Sequence, residues 1–246
     1  MKIPGIVYDA LSGKGVNGSI YGEFPVPPVS RIEIRPNLIY RLCAEKRVIH
    51  LGCTDHLPLI DQRIAAGNYI HRQLSYVASE CIGVDINAEA VAHVHKRGIG
   101  NVVVGDITKP GIKEIESGRW DWIVIPDVIE HIPNPAAFLQ AMDAVYGKYI
   151  SRILITVPNA YGNYLGGMTQ FAKEVINYDH CFWFTPYTIC KVVHAAGLEI
   201  DELFMCSYEN PSDAIRAKEQ SLKEYPLLMN TVALTAHSRG AEHGTS

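Results

Sequence analysis

The chain predicts an α/β domain on a parallel sheet with helices on both faces. Three observations predict it. Short apolar runs alternate with helix-period segments from residue 47 onward. The helical segments between the runs start and stop on capping residues. The 246 residues are 48% hydrophobic and 20% charged, which suits one large domain with a sizeable core.

Taken in order, residues 1–42 fit neither a helix nor a strand period, and are read as an N-terminal cap or substrate segment. Strands are expected at 48–51, 81–84, 101–104, 122–125, 152–157, 198–205 and 231–236. Between the first two, Pro58 suits a first helical turn and Gly67-Asn68 an end and a new start, so two short helices are expected. Asn87 caps a helix through Val91 and Val94 that stops at Gly98, and a further helix spans 134–146. Residues 158–185 are rich in Gly, Asn and Tyr and read as a lid-like insert, since long irregular segments tend to carry binding function. Thr185, Pro186 and Gly197 delimit the last helix. The main domain is taken as 43–240, and the tail 241–246 is expected to fray.

Composition excludes several classes. A net charge of −4, a pI near 6.2 and no Lys/Arg-rich run argue against nucleic acid as partner. No stretch approaches the ~18 uncharged apolar residues of a membrane span, and the first residues do not resemble a secretion signal. The six cysteines form no CxxC pair and read as reduced thiols of a cytoplasmic protein, with no disulfide or zinc framework. His93 and His95 are two apart on a helix and point apart, so no metal is expected.

In an open parallel sheet the ligand sits beyond the carboxyl ends of the strands. Here Gly52 permits a close backbone approach. Asp85 closes the second strand, where a carboxylate can accept from both ribose hydroxyls. Asp106 ends the third strand and can accept from an exocyclic amine, and Asp127 ends the fourth near the middle of the cleft. One glycine turn and a series of carboxylates suit a nucleoside carrying a cation and no phosphate, such as S-adenosylmethionine.

The succession RVIHLGCTDH, CIGVDINAEAV, VVVGDIT, DWIVIPDVIEHIPNPAAFL, RILITVPNAYG and DHCFWFTPYTICKVVHAAGLEI resembles the class I S-adenosylmethionine-dependent methyltransferases over roughly residues 46–238. It looks most like the small-molecule group, with ubiquinone-biosynthesis-type O-methyltransferases and enzymes of glycan and natural-product pathways. That resemblance implies a Rossmann-like sheet of seven strands whose last, TVALTAHS, lies antiparallel beside the fifth. It implies S-adenosylmethionine as cofactor and S-adenosylhomocysteine as product. Gly52 with His50, Cys53 and Thr54 would meet the methionine part. Asp85, with Ile86 beside it, would hold the ribose, Asp106 and Ile107 would frame the adenine, and Asp127 would face the reaction centre. Two positions depart from the family pattern: His50 stands for an acid and Thr54 for a second glycine. Thr54 is harmless at negative φ and costs about 1 kcal/mol or more at positive φ. A neutral His50 can still accept one hydrogen bond.

The expected activity is methyl transfer to a small-molecule acceptor, an oxygen on a sugar or natural-product intermediate. Alignment supplies most of the rate, and a base is needed only where the acceptor carries a proton. His180 and His131 are the candidate bases and Asp127 the third catalytic candidate. Each has a plainer alternative: His180 packed by Tyr178 and Trp183, Glu130-His131 as a structural loop, Asp127 as a turn former. Cys53 reads as a small filler, Tyr161 and Tyr164 as pocket or lid residues, Trp120 and Trp122 as packing. The aromatic-rich insert is equally a subunit contact, so a homodimer stays open. Two rivals are a degenerate methyltransferase fold without turnover and a nicotinamide-dependent oxidoreductase. The latter expects GxGxxG with an acid about 20 residues on, whereas positions 52 and 85 are 33 apart.

Overall fold

The computed structural model describes residues 1–2, 5–13, 22–162, 174, 176–208 and 219–239. In chain order these form α1 (Gly5–Leu11), β1 (Glu33–Ile34), α2 (Arg35–Cys43), β2 (Arg47–Leu51), α3 (Leu57–Ala65), α4 (Ile70–Val77), β3 (Glu80–Asp85), α5 (Ala88–Lys96) and β4 (Val102–Val104). They continue with α6 (Lys113–Glu116), β5 (Trp120–Pro126), α7 (Pro135–Tyr146), β6 (Ile150–Pro158), α8 (Pro186–Ala195), β7 (Leu198–Ser207), α9 (Glu219–Glu224) and β8 (Thr231–Ser238). One sheet runs in the order β1-β7-β8-β6-β5-β2-β3-β4. Among the described strands only β8 runs against its neighbours, β6 and β7.

The seven strands read from the sequence form, and the two-residue β1 adds an eighth beside β7. The central strands are long apolar runs because both their faces are covered. Val48, Val124 and Leu154 pack with Ile39 and Cys43 of α2 and Leu74 of α4. Their neighbours in sequence, Ile49, Ile123, Ile125, Ile153 and Ile155, join Leu139 and Met142 of α7 and Ile189 and Val193 of α8. Alternate residues of each strand therefore feed opposite helical layers.

Most of the expected caps form; Asn68 is the exception, because α4 starts after Tyr69, which makes no side-chain cap. The Asn87 side chain accepts from the amides of Glu89 and Ala90, each at 3.1 Å, and Thr185 and Thr188 close a capping box at α8. Gly98 and Gly197 end α5 and α8 at φ 77° and 88°. Trp120 and Trp122 lie within β5 and pack, Trp120 donating to the Ile115 carbonyl at 3.1 Å.

One expectation is corrected: residues 1–42 are not irregular throughout. They hold α1, β1 and most of α2, and the expected domain boundary at 42/43 falls inside α2. The helices are seven and nine residues long, too short for a clear period in sequence. Burial of Leu38, Ile39 and Cys43 on the sheet holds α2 in place. Most of the insert's first half, 163–173 with 175, and the tail 241–246 lie outside the described residues.

Candidate functional site

A cavity of about 780 Å³ opens beyond the carboxyl ends of the central strands and is lined, among others, by Gly52, Thr54, Asp85, Asp127, His131 and His180. This is the place the topology of an open parallel sheet sets aside for a ligand.

At one end lies the turn after β2. Gly52 has φ +67°, and a Cβ there would stand 2.5 Å from Val128 Cγ2, so both backbone and space require glycine. Thr54 is absent from the positive-φ residues, which include Asp55 at 63° next to it. The missing second glycine therefore costs no strain at Thr54. Instead Thr54 donates to Asp85 Oδ2 from its amide at 3.1 Å and its hydroxyl at 2.8 Å, and Asn87 N donates to Oδ1 at 2.9 Å. Three of a carboxylate's roughly four acceptor positions are filled and about one remains. Ile86 follows with 73% of its surface exposed and lines the cavity.

Asp106 and Ile107 sit elsewhere. Neither is among the cavity's lining residues. Asp106 Oδ1 accepts from Thr108 N at 3.0 Å and Thr108 Oγ1 at 2.6 Å, and Lys109 adds an ion pair, which holds its carboxyl down at about 2. Ile107 is buried in the main core. The turn-forming alternative fits Asp106 better than a base-framing one.

Cys53 lines the cavity but is buried among Ile60, Val91 and Val94, and burial pushes its thiol up, as suits a filler. His50, also buried, faces His71 of α4 with Nδ1 atoms 3.3 Å apart. Burial, reinforced by His71, pulls His50 well below the ordinary imidazole range, and burial takes His71 to about 4. Both rings are neutral at pH 7.

At the other end, Asp127 adopts φ 53°, a conformation rare for a non-glycine residue. Its Oδ2 pairs with the buried Arg35 guanidinium and its Oδ1 accepts from Thr156 Oγ1 at 3.0 Å. Arg35 in turn lies 4.2 Å from the Tyr208 ring centroid. The carboxylate lines the cavity yet is engaged on both oxygens, an arrangement that anchors α2 better than it accepts a proton.

Glu130, on the 3₁₀ turn Ile129–His131, is fully buried with neither carboxylate oxygen partnered. Burial and the neighbouring Asp127 push it up to about 9, so it is protonated at neutral pH. Its main-chain carbonyl accepts from Cys181 N at 2.7 Å and Phe182 N at 3.2 Å, which draws the segment after residue 176 onto this turn. His131 and His180 thereby meet edge to face, ring centroids 4.5 Å apart. His131 Nδ1 lies 3.6 Å from Asp179 Oδ2. His180 Nδ1 is buried without a partner, and burial first, then His131, lowers its pKa.

The two histidines, separate candidates in sequence, are thus one cluster. Among the described residues Glu130, His131 and His180 offer ligand atoms all within 4.8 Å of one another, close enough to hold a metal ion. The sequence reading expected none. It named Glu130 only together with His131, as a structural loop, and missed Arg35, His71 and Asp179. Asp179 had a signal in its neighbour His180; Arg35 and His71 had none.

With this geometry in hand, the comparisons define the class. A family model described as "Methyltransferase domain" matches residues 34–203, more than half the chain. The protein belongs to this family of S-adenosylmethionine-dependent methyltransferases. It is 22% identical over 167 residues to the ubiquinone biosynthesis O-methyltransferase of Aeromonas salmonicida, covering 64% of this chain and 65% of that protein. The Burkholderia thailandensis protein of the same name is 22% identical over 171 residues, at 66% and 68% coverage. The chain thus spans about two thirds of the length of the curated relatives it matches.

Among solved structures it resembles magnesium protoporphyrin IX methyltransferase of Synechocystis PCC 6803 with bound SAH, at 14% identity and TM-score 0.53, covering 83% of this chain and 82% of that one. It also resembles the small RNA methyltransferase HEN1, at 15% identity and TM-score 0.56, covering 92% and 28%. At such identities the likeness shows the Rossmann-like fold. Among the described residues no helix is long and apolar enough to cross a membrane.

Proposed function

We propose that the chain moves a methyl group from S-adenosylmethionine to a hydroxyl of a small acceptor, a sugar or natural-product intermediate, in the cytoplasm. One observation carries this reading: a single cavity joins the Gly52–Asp85 turn to the His131–His180 pair. The distant O-methyltransferase relatives support a hydroxyl as acceptor.

Bound there, the cofactor supplies a sulfonium methyl open to in-line displacement. Gly52 lets the backbone approach its amino-acid end. Asp85 keeps an acceptor position for a ribose hydroxyl, and Ile86 offers apolar surface to the base. His180, kept neutral by burial, or His131, oriented by Asp179, takes the acceptor's proton. Asp127 positions α2 through Arg35.

Calorimetric titration with S-adenosylmethionine and S-adenosylhomocysteine, with Asp85→Ala as control, tests the seat. A labelled-methyl assay over phenols, catechols and sugars tests the acceptor. Micromolar binding lost in the control, followed by transfer to a hydroxyl, supports the proposal. Binding without transfer to any acceptor favours the degenerate, non-turnover alternative, and no binding at millimolar ligand overturns the reading.

The unpartnered oxygens of Glu130 favour a second reading of the His131–His180 cluster, as a seat for a divalent cation that would displace the Glu130 proton on binding and orient the acceptor oxygen. Activity abolished by a chelator and restored by added magnesium or zinc supports it; activity indifferent to chelator leaves the histidines as bases.

A further inference from the structure

Of the three tryptophans in the chain, two are spent on packing. Trp120 is buried in the main core, and Trp122 in the smaller one formed with α2 and α4. Trp183 joins none of the buried apolar clusters among the described residues. It stays partly exposed and lines the cavity instead. A large apolar ring is thus kept off the core and held beside the candidate bases.

Its placement is fixed from both sides. Phe182 N donates to the Glu130 carbonyl at 3.2 Å and Ala160 N to the Phe184 carbonyl at 2.7 Å, so residues 182–184 are pinned between the turn after β5 and the end of β6. Side chains alternate along an extended segment: Phe184 turns into the core, 3% exposed, and Trp183 into the cavity. The indole N–H donates to Glu174 Oε1 at 3.2 Å, so what Trp183 has left to offer a ligand is its ring. The two tyrosines of the cavity wall are already engaged. Tyr69 is 2% exposed, with its hydroxyl donating to the Cys53 carbonyl at 2.7 Å. Tyr208 carries the Arg35 guanidinium over its ring. Trp183 meets His180 edge to face, with ring centroids 6.0 Å apart, and Ile132 and Ile176 add further apolar wall.

We propose that Trp183 is the specificity-determining platform of the acceptor site: it stacks on a six-membered ring and turns a hydroxyl on the rim of that ring toward the His131–His180 pair. This rests on the acceptor reading given above, and narrows it from hydroxyl compounds at large to rings with an apolar face. Aromatic rings offer that face through their π system and pyranoses through their axial C–H groups. Open-chain polyols have none.

Methyl transfer to catechol, to methyl glucoside and to glycerol compares both kinds of ring with an acceptor that lacks one. The wild type is expected to methylate a ring and not glycerol, and the preferred ring tells an aromatic acceptor from a sugar. In Trp183→Ala the KM for that ring should rise about tenfold with kcat held within about twofold, and calorimetry should find S-adenosylhomocysteine affinity unchanged. Trp183→Phe, which restores a flat face, should recover most of the loss. An unchanged KM, an equal weakening of the cofactor, or glycerol serving as well as the rings overturns the proposal. Fluorescence gives an answer that needs no turnover. Trp120 and Trp122 are 1% and 6% exposed, so Trp183 is the tryptophan whose emission a cavity ligand changes directly. With S-adenosylhomocysteine present, catechol or the glucoside is expected to cause a saturable shift that is absent with glycerol and absent in Trp183→Phe. If no compound is methylated, the proposed activity falls while this shift still upholds the platform; no shift with either ring overturns it.

Discussion

The two ends of the cavity are built differently. Around Gly52 and Asp85 the important contacts come from residues just beyond two adjacent strands: Thr54 and Asn87 close on Asp85, and Gly52 N donates to the Val84 carbonyl at 2.9 Å. Around Asp127 and Glu130 the partners come from four distant places: Arg35 of α2, Thr156 of β6, Asp179-His180 and Tyr208. The first end follows from strand-end geometry. The second exists only when the whole fold has assembled, and a carboxylate that looks catalytic in sequence can be captured there by a buried cation.

Backbone strain repeats this contrast. Asp55 and Asp127, at φ 63° and 53°, each pair with an arginine, Arg63 and Arg35. Asp55 lies four residues beyond β2 and Asp127 directly after β5. Sparsely populated backbone conformations of this kind persist where surrounding contacts over-determine them.

The largest effect is expected from Asp127→Ala. It leaves the guanidinium of Arg35 buried without its partner, a loss of about 3–5 kcal/mol, and so a fall in Tm on the order of 10 °C. Thermal denaturation reads it, and a change under about 1 kcal/mol would break the claim that the acceptor end is anchored by this ion pair. Next, Asp85→Ala is expected to weaken S-adenosylhomocysteine by about 100-fold, ~2.7 kcal/mol. Were calorimetry to find affinity unchanged, the cofactor end would have to be sought elsewhere in the cavity.

The third effect is on acid stability. His71, drawn down to about 4 by burial, binds fewer protons folded than unfolded between that value and the ordinary imidazole pKa near 6.5. Its contribution is therefore present above about pH 6.5 and lost as pH falls toward 4. His71→Phe should flatten the decline of denaturant midpoint across that window; an equally steep decline would mean that the pair is not what destabilises the acid form. The smallest effect is expected from Asp106→Asn, about 1 kcal/mol of stability from weakened turn hydrogen bonds, with cofactor affinity unchanged by calorimetry. A matching loss of affinity would return Asp106 to the adenine side and narrow the difference between the two ends.

Much of the Gly52–Asp85 end was legible. Gly52 and Asp85 were recognisable because each closes an apolar strand where a parallel sheet exposes its ends. His50 and Thr54 were visible as departures, but not what they do. Thr54 avoids strain and bonds Asp85, and His50 is half of a pair whose other half lies 21 residues away on α4. Asp106 bonds its own turn, which the sequence does not announce, because a Gly-Asp strand end looks alike whether its carboxylate faces a ligand or its own turn. At the other end of the cavity His131 and His180 were picked out singly. Their meeting depends on the Glu130 carbonyl binding the amides of Cys181 and Phe182, a contact across some 50 residues that no local pattern announces.

The sequence by itself determined the class of fold, the strands, the caps and the class of cofactor, because periodicity, capping and strand-end glycines and carboxylates are local consequences of backbone geometry. The tertiary structure alone decided that α2 brings Arg35 to Asp127, that Glu130 is buried with its carboxyl oxygens unpartnered, and that histidines from distant segments pair at both ends of the cavity. Those outcomes turn on burial and on through-space partners, and neither desolvation nor a through-space partner exists until the sheet and its two helical layers have packed.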